Sequence, residues 1–241
     1  VAGLILGVLS MLSTEGKRQP VRSLAQLNGL AFHPVYRIIP ELRQPFRGVG
    51  KAPAESYETL LVNFRRSDKR PYRIGVVGIA KDSGASTTAL NLALAAERHG
   101  HSSVVVEADQ RHPIRRIAFR QGAQSTGDLT KVSEHVTLVS PDGLNTAEVP
   151  AEVQKLERDL TIFDFEPTTI SAEYAFAASN LDEIIVLVRA SRVASVDFLR
   201  AQQALADSGC PLVTVVLART SDLEVLPDAV EAREAPKALL H

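Results

Sequence analysis

From Ile74 to Leu217 the chain alternates between short apolar runs rich in β-branched residues and stretches with helical spacing. That rhythm limits the fold more than any other feature. The strand-like runs are Ile74–Val77, Val104–Glu107, Val136–Val139, Leu160–Phe163, Ile184–Val188 and Leu212–Leu217. Helical patterns cover Ser86–Arg98, Ala151–Arg158, Ser171–Ser179 and Val193–Asp207. A run that is apolar throughout, instead of alternating with polar residues, is buried on both faces, and parallel neighbours need a crossover such as a helix between them. The expected architecture is α/β: a three-layer sandwich around a mostly parallel central sheet. With 241 residues, 45% of them hydrophobic and 23% charged, the chain has enough material for one large core plus appendages.

The flanks read differently. Val1–Leu12 is uncharged and apolar, and Lys17, Arg18 and Arg22 follow it. Twelve such residues are too few to cross a bilayer. Two readings stand: a short buried helix or, with basic residues after the run, the end of a transmembrane helix emerging on the cytoplasmic side. Residues 13–53, punctuated by Pro20, Pro34, Pro40, Pro45, Gly48 and Gly50, read as a juxtamembrane linker. Within it, Val35–Ile39 is expected to form a short strand or helix that docks elsewhere. Ala54–Arg65 has Tyr57, Leu60, Leu61 and Phe64 at helical spacing and opens the main domain, expected over 54–220. The tail 221–241, rich in Ala, Glu and Pro, is expected to be loosely ordered. Cys210 is the only cysteine, so no intrachain disulfide can form, and it reads as a small packed hydrophobe. A formal charge of -1 gives no reason to expect a nucleic-acid partner.

The first strand runs into Gly78-Ile79-Ala80-Lys81-Asp82-Ser83-Gly84-Ala85-Ser86-Thr87-Thr88, which has the outline of a phosphate-binding loop entering a helix. Backbone N–H groups at such a helix start bind anions whatever the side chains are. The usual motif ends Gly-Lys-Ser/Thr, with the lysine on the β- and γ-phosphates and the hydroxyl on magnesium. Here Ala85 stands where the lysine belongs, and Asp82 adds a carboxylate. Two unit charges ~5 Å apart at an effective dielectric of ~20 interact by about 3 kcal/mol. Losing one attraction and gaining one repulsion therefore weakens triphosphate binding severely. Lys81 is the candidate surrogate cation. Ser86-Thr87-Thr88 has a simpler reading as a helix cap and first turn.

Asp109 and Asp164 each end a central strand, on the edge where ligand sites gather and where an aspartate can hold magnesium or its water. Arg111, Arg115 and Arg116, together with His112 and Arg120, form the densest positive region. They read either as a solvated helix face or as a surface for an acidic partner.

With these residues in hand, the chain resembles the cytoplasmic domain of bacterial tyrosine kinases fused to polysaccharide co-polymerases, in the deviant Walker group of P-loop NTPase-like folds. The resemblance is carried by Ser86–Ala93, by Val106-Glu107-Ala108-Asp109-Gln110-Arg111-His112-Pro113, by Ile162-Phe163-Asp164-Phe165-Glu166-Pro167 and by Ile184–Val188, and it covers about Glu55 to Ala218. It implies a vestigial loop at Gly84, Ala85, Ser86 and Thr87, a magnesium-side hydroxyl at Ser86, and catalytic-site aspartates at Asp109 and Asp164. The family's loop glycine falls on Asp82. Its self-association motif, Glu-x-x-Arg-x-x-Arg, meets Glu55, Glu58 and Leu61, so both arginines are missing. Its tyrosine-rich tail is missing too, since no tyrosine follows Tyr174.

Taken with these departures, the resemblance implies a pseudokinase-like regulatory or assembly domain at the cytoplasmic face of the bacterial inner membrane. No tightly bound cofactor is expected, and ATP and magnesium are expected only if activity is retained. The implied partners are polysaccharide assembly and export membrane proteins and other copies of the chain through the membrane part. An ATP-binding, partner-dependent tyrosine kinase and a partition-type ATPase relative are the alternatives.

Overall fold

The computed structural model describes residues 19–30, 35–40, 54–108, 114–115, 124–126, 128–140, 155–156, 158–165, 180–207, 209 and 212–220. The six expected strands are present with ends shifted by only a few residues: β2 (Tyr72–Gly78), β3 (Ser103–Glu107), β6 (Val136–Val139), β7 (Leu160–Asp164), β8 (Glu183–Arg189) and β9 (Val213–Thr220). They join β1 (Val35–Pro40), β4 (Gln124–Thr126) and β5 (Leu129–Lys131) in a sheet of order β1-β9-β8-β2-β7-β3-β6-β5-β4. All pairs from β1 to β6 are parallel, and β5 pairs antiparallel with both β6 and β4.

Helices cover both faces. On one side α4 (Ala85–Arg98) lies with α2 (Ala54–Leu60) over Ile74, Val76, Val105, Ile162, Ile185 and Leu187. On the other, α1 (Leu24–Leu30) and α5 (Ser195–Asp207) supply Leu27, Phe198 and Leu205 to a cluster with Val77, Val104, Val106, Phe163 and Val186. The odd and even residues of each central strand thus enter different cores, which is why these strands are apolar throughout. This is the expected three-layer sandwich.

Three local expectations change. The run Val35–Pro40 is a strand, and it docks on this same sheet, parallel to β9 with Ile38 opposite Leu217. The helix expected over Ala54–Arg65 is interrupted at Leu61, where ψ is 7°, and resumes as α3 (Val62–Arg66). Its four expected apolar positions, Tyr57, Leu60, Leu61 and Phe64, are nonetheless all buried. In the helix expected over Ala151–Arg158, the described residues are a turn at Lys155–Leu156 and an irregular Arg158. Arg158 reaches Thr137 Oγ1, and the Asp159 N–H donates to Ser102 Oγ, so the chain there is already entering β7.

The runs Val1–Leu12 and Ser171–Ser179, Cys210 and the tail 221–241 lie outside the described residues. Among the described residues no helix is long and apolar enough to cross a membrane.

Candidate functional site

The loop leaves β2 at Gly78, where the backbone passes directly under Ser83. A Cβ on Gly78 would lie 1.7 Å from Ser83 Oγ, so only glycine fits there. Ser83 is buried, and its N–H donates to the Ala80 carbonyl at 3.3 Å. Two left-handed residues then turn the chain into α4: Asp82 at φ 57° and Gly84 at φ 94°. Aspartate is among the few non-glycine residues that adopt this region, which is why the turn accommodates Asp82.

Gly84 is the residue that caps α4, without any side-chain cap bond, and its carbonyl accepts the first helical bond from Thr88 N–H at 2.8 Å. The N–H groups of Ala85, Ser86 and Thr87 precede that bond and have no acceptor within the helix. Of the reading of Ser86-Thr87-Thr88 as a helix cap and first turn, the first turn stands and the cap moves to Gly84. Thr88 is buried and bonds the hydroxyl of Tyr57 on α2. Burial drives the Tyr57 phenol up to about 12, with the Thr88 bond partly opposing it.

Ala85 is 7% exposed, and its methyl belongs to the core cluster beneath α4. The position that ordinarily projects a cation toward phosphate here packs hydrocarbon. Asp82, by contrast, is exposed, so water screens its charge and its repulsion falls well short of the ~3 kcal/mol expected from sequence.

Asp164 ends β7 fully buried, opposite Val76 of β2 and Glu107 of β3, on the face that α4 covers. Its carbonyl accepts the Ala108 N–H at 3.0 Å. Glu107, 1% exposed, accepts bonds from the Ile114 and Arg115 N–H groups and from Ser140 Oγ at 2.7 Å. Its carboxylate thus holds the start of the segment after β3, a role the sequence did not assign to it. Arg115 is tied there through its backbone, while Asp109, Arg111 and Arg116 lie outside the described residues. Among the described residues no group of three or more His, Cys, Asp or Glu is placed to hold a metal ion. Asp164 and Ser86 would be the described residues on the metal side of such a site.

At the mouth of the loop a cavity of about 530 Å³ is lined by Ala80, Lys81, Asp82, Arg189 and Arg192. Arg189 ends β8, which pairs with β2 along its length, and it donates from Nη1 to the Asp82 carbonyl at 3.1 Å. Arg189 and Arg192 were not among the residues picked from sequence. The available signal was the one used for Asp164: a polar residue closing a continuous apolar strand on the ligand edge.

The geometry is thus a strand–loop–helix turn on a parallel sheet, with acidic residues at neighbouring strand ends and alanine at residue 85. Solved structures share this fold. The kinase domain of Escherichia coli tyrosine kinase ETK superposes with a TM-score of 0.67 at 14% identity, covering 85% of this chain and 96% of that one. The chimerical protein CapA2B2 gives 0.66 at 17% identity, over 83% of this chain and 100% of that one. The chain has the fold of a bacterial tyrosine-kinase domain.

In sequence it is similar to tyrosine-protein kinase CpsD of Streptococcus agalactiae, 20% identical over 196 residues, which span 71% of this chain and 84% of that protein. No protein-family model matches the chain. Measured against an ATP–magnesium site of the usual kind, the residues fit in part. The first-turn N–H groups and Ser86 suit phosphate and metal, whereas the buried methyl of Ala85 supplies nothing to hold the terminal phosphates.

Proposed function

We propose that this chain is a pseudokinase-like regulatory or assembly domain of a bacterial exopolysaccharide biosynthesis and export system, working at the cytoplasmic face of the inner membrane. The observation that carries the reading is Ala85, packed into the core at the position of the motif's lysine, where the left-handed Gly84 turns the loop into α4. Kinase-like fold and kinase-like sequence accompany this change. The polysaccharide and membrane setting rests on the family resemblance in the sequence.

Loss at the self-association motif supports the same reading. Glu58 is turned onto its own α4, 3.4 Å from Arg98 Nε and 3.7 Å from His99 Nε2, and Leu61 is buried. Neither is presented to a neighbouring copy as an exposed arginine would be.

The experiment is titration with magnesium-ATP alongside a turnover assay. Weak binding without turnover is the expected result, and low-micromolar binding with measurable turnover overturns the reading. The second reading, an ATP-binding tyrosine kinase completed by a partner, is favoured by Asp164, held in place at its strand end. It requires that Asp109→Ala or Asp164→Ala change phosphorylation in a reconstituted complex.

A further inference from the structure

We infer that the cavity at the loop mouth is a polyphosphate-binding site in which Arg189, Arg192 and Lys81 take over the charge that residue 85 no longer supplies. The inference rests on reading the loop as a nucleotide-site relative, and it names the ligand class and the residues that hold it. Among the cavity's described lining residues, Lys81, Arg189 and Arg192 outnumber the one carboxylate, Asp82. The cations come from two separate elements. Lys81 belongs to the loop, whereas Arg189 ends β8 and Arg192 lies on the turn after it, which reaches the same place because β8 is the immediate neighbour of β2.

That turn is fixed in place. The Arg192 N–H donates to the Arg189 carbonyl at 3.2 Å, and Ser191 closes the turn at φ 60°. The Ala190 N–H donates to the Ala218 carbonyl of β9 at 3.0 Å, and the Ser191 N–H donates to the Val21 carbonyl at 2.6 Å. Held from both sides, the backbone that carries Arg192 is in place before any ligand arrives, which lowers the ordering cost of binding. The Arg189 guanidinium is also oriented by its bond to the Asp82 carbonyl. Planar guanidinium groups match two phosphate oxygens at once, which a flexible ammonium does not. A cavity of about 530 Å³ admits more than one phosphoryl group.

The ligand chemistry is a di- or triphosphate, and it has two sources: free pyrophosphate or the phosphate chain of a nucleotide. Isothermal titration of the full chain with pyrophosphate, ATP and adenosine, each with and without magnesium, separates them. Pyrophosphate and ATP are both expected to bind without magnesium, more weakly as salt rises, while adenosine does not bind. ATP binding much more tightly than pyrophosphate would support the site and identify the nucleotide as its source.

Arg192→Gln and Lys81→Gln are each expected to weaken pyrophosphate binding about fivefold, as removal of one exposed charge does. Arg189→Gln is expected to weaken it at least as much, and also releases the loop. Failure of pyrophosphate to bind, or binding that Arg192→Gln and Lys81→Gln both leave unchanged, overturns the inference. Turnover of magnesium-ATP would instead sink the pseudokinase reading and leave the cation assignment standing.

Discussion

At the scale of single residues, the loop is defined by what does not fit. Gly78 has no room for a methyl because Ser83 occupies that space, so Gly78→Ala is expected to destabilise the fold by about 2 kcal/mol in urea unfolding, the range for overpacking a closed site. Adding Ser83→Gly should recover most of the loss; failure to do so would show that the strain lies elsewhere. Ala85 sits in a first turn whose N–H groups remain suited to phosphate, so Ala85→Lys restores the missing element. We expect it to raise ATP affinity at least tenfold in the same titration, and an unchanged affinity would mean that residue 85 is not what keeps ATP out. Glu183, at the far end of β8, is a different kind of site. Burial pushes its carboxyl above the usual range, against opposing bonds from Thr214 Oγ1 at 2.6 Å, Asn63 Nδ2 at 3.2 Å and Tyr72. Between the ordinary glutamate value and the raised one, the native state keeps a proton that the unfolded chain has released. That contribution is complete below the ordinary glutamate range and is lost as pH rises through the raised value. Glu183→Gln, which stays neutral, should gain stability relative to the parent as pH rises from the ordinary glutamate range through the raised value in denaturant unfolding; a difference constant with pH would contradict the assignment. Of these residues, Ala85 and Asp164 were legible because a motif marks their places. Arg189 and Glu183 were not, since their roles depend on which strands become neighbours.

At the scale of elements, α2 is joined to the start of α4 by the Tyr57 hydroxyl on Thr88, and to its end by Glu58 with Arg98 and His99. The exposed Glu58–Arg98 ion pair contributes little, whereas the Tyr57 bond is buried and satisfies two polar groups at once. Tyr57→Phe is expected to cost about 1–2 kcal/mol by thermal or chemical unfolding, because it leaves the Thr88 hydroxyl buried without that partner. A neutral result would mean that the two helices are held by packing alone. The central strands could be read from sequence because double-sided burial writes itself as uninterrupted β-branched runs. The short antiparallel strands β4 and β5 could not: Gln124–Thr126 and Leu129–Lys131 are brief and mostly polar, with nothing to separate them from a loop. The pause at Leu61 was equally invisible, since Tyr57, Leu60, Leu61 and Phe64 keep helical spacing across it.

At the scale of the molecule, residues read as a linker turn out to be stitched into the domain. Val21 and Leu27 are fully buried, the Val21 N–H donates to the Val193 carbonyl at 2.8 Å, and Ser195 bonds the Gln19 carbonyl through both N–H and Oγ. Gln202 of α5 reaches the Leu30 carbonyl at 3.0 Å, and β1 extends the sheet beyond β9. Proline and glycine content marked this region as irregular, and the long sequence separation of its partners hid the contacts. The segment that precedes the domain therefore shares a core with the sheet, and it touches the turn that carries Arg189 and Arg192. Leu27→Ala should then lower the stability of the whole domain by about 2–5 kcal/mol, in one cooperative transition followed by both circular dichroism and hydrogen exchange. An independent linker would instead give an unchanged midpoint, or a separate early transition confined to residues 19–30. If the single transition is seen, a pull or release on the segment ahead of Val21 has a direct mechanical route to the loop mouth, and loosening it should weaken pyrophosphate binding without any change to the lining residues.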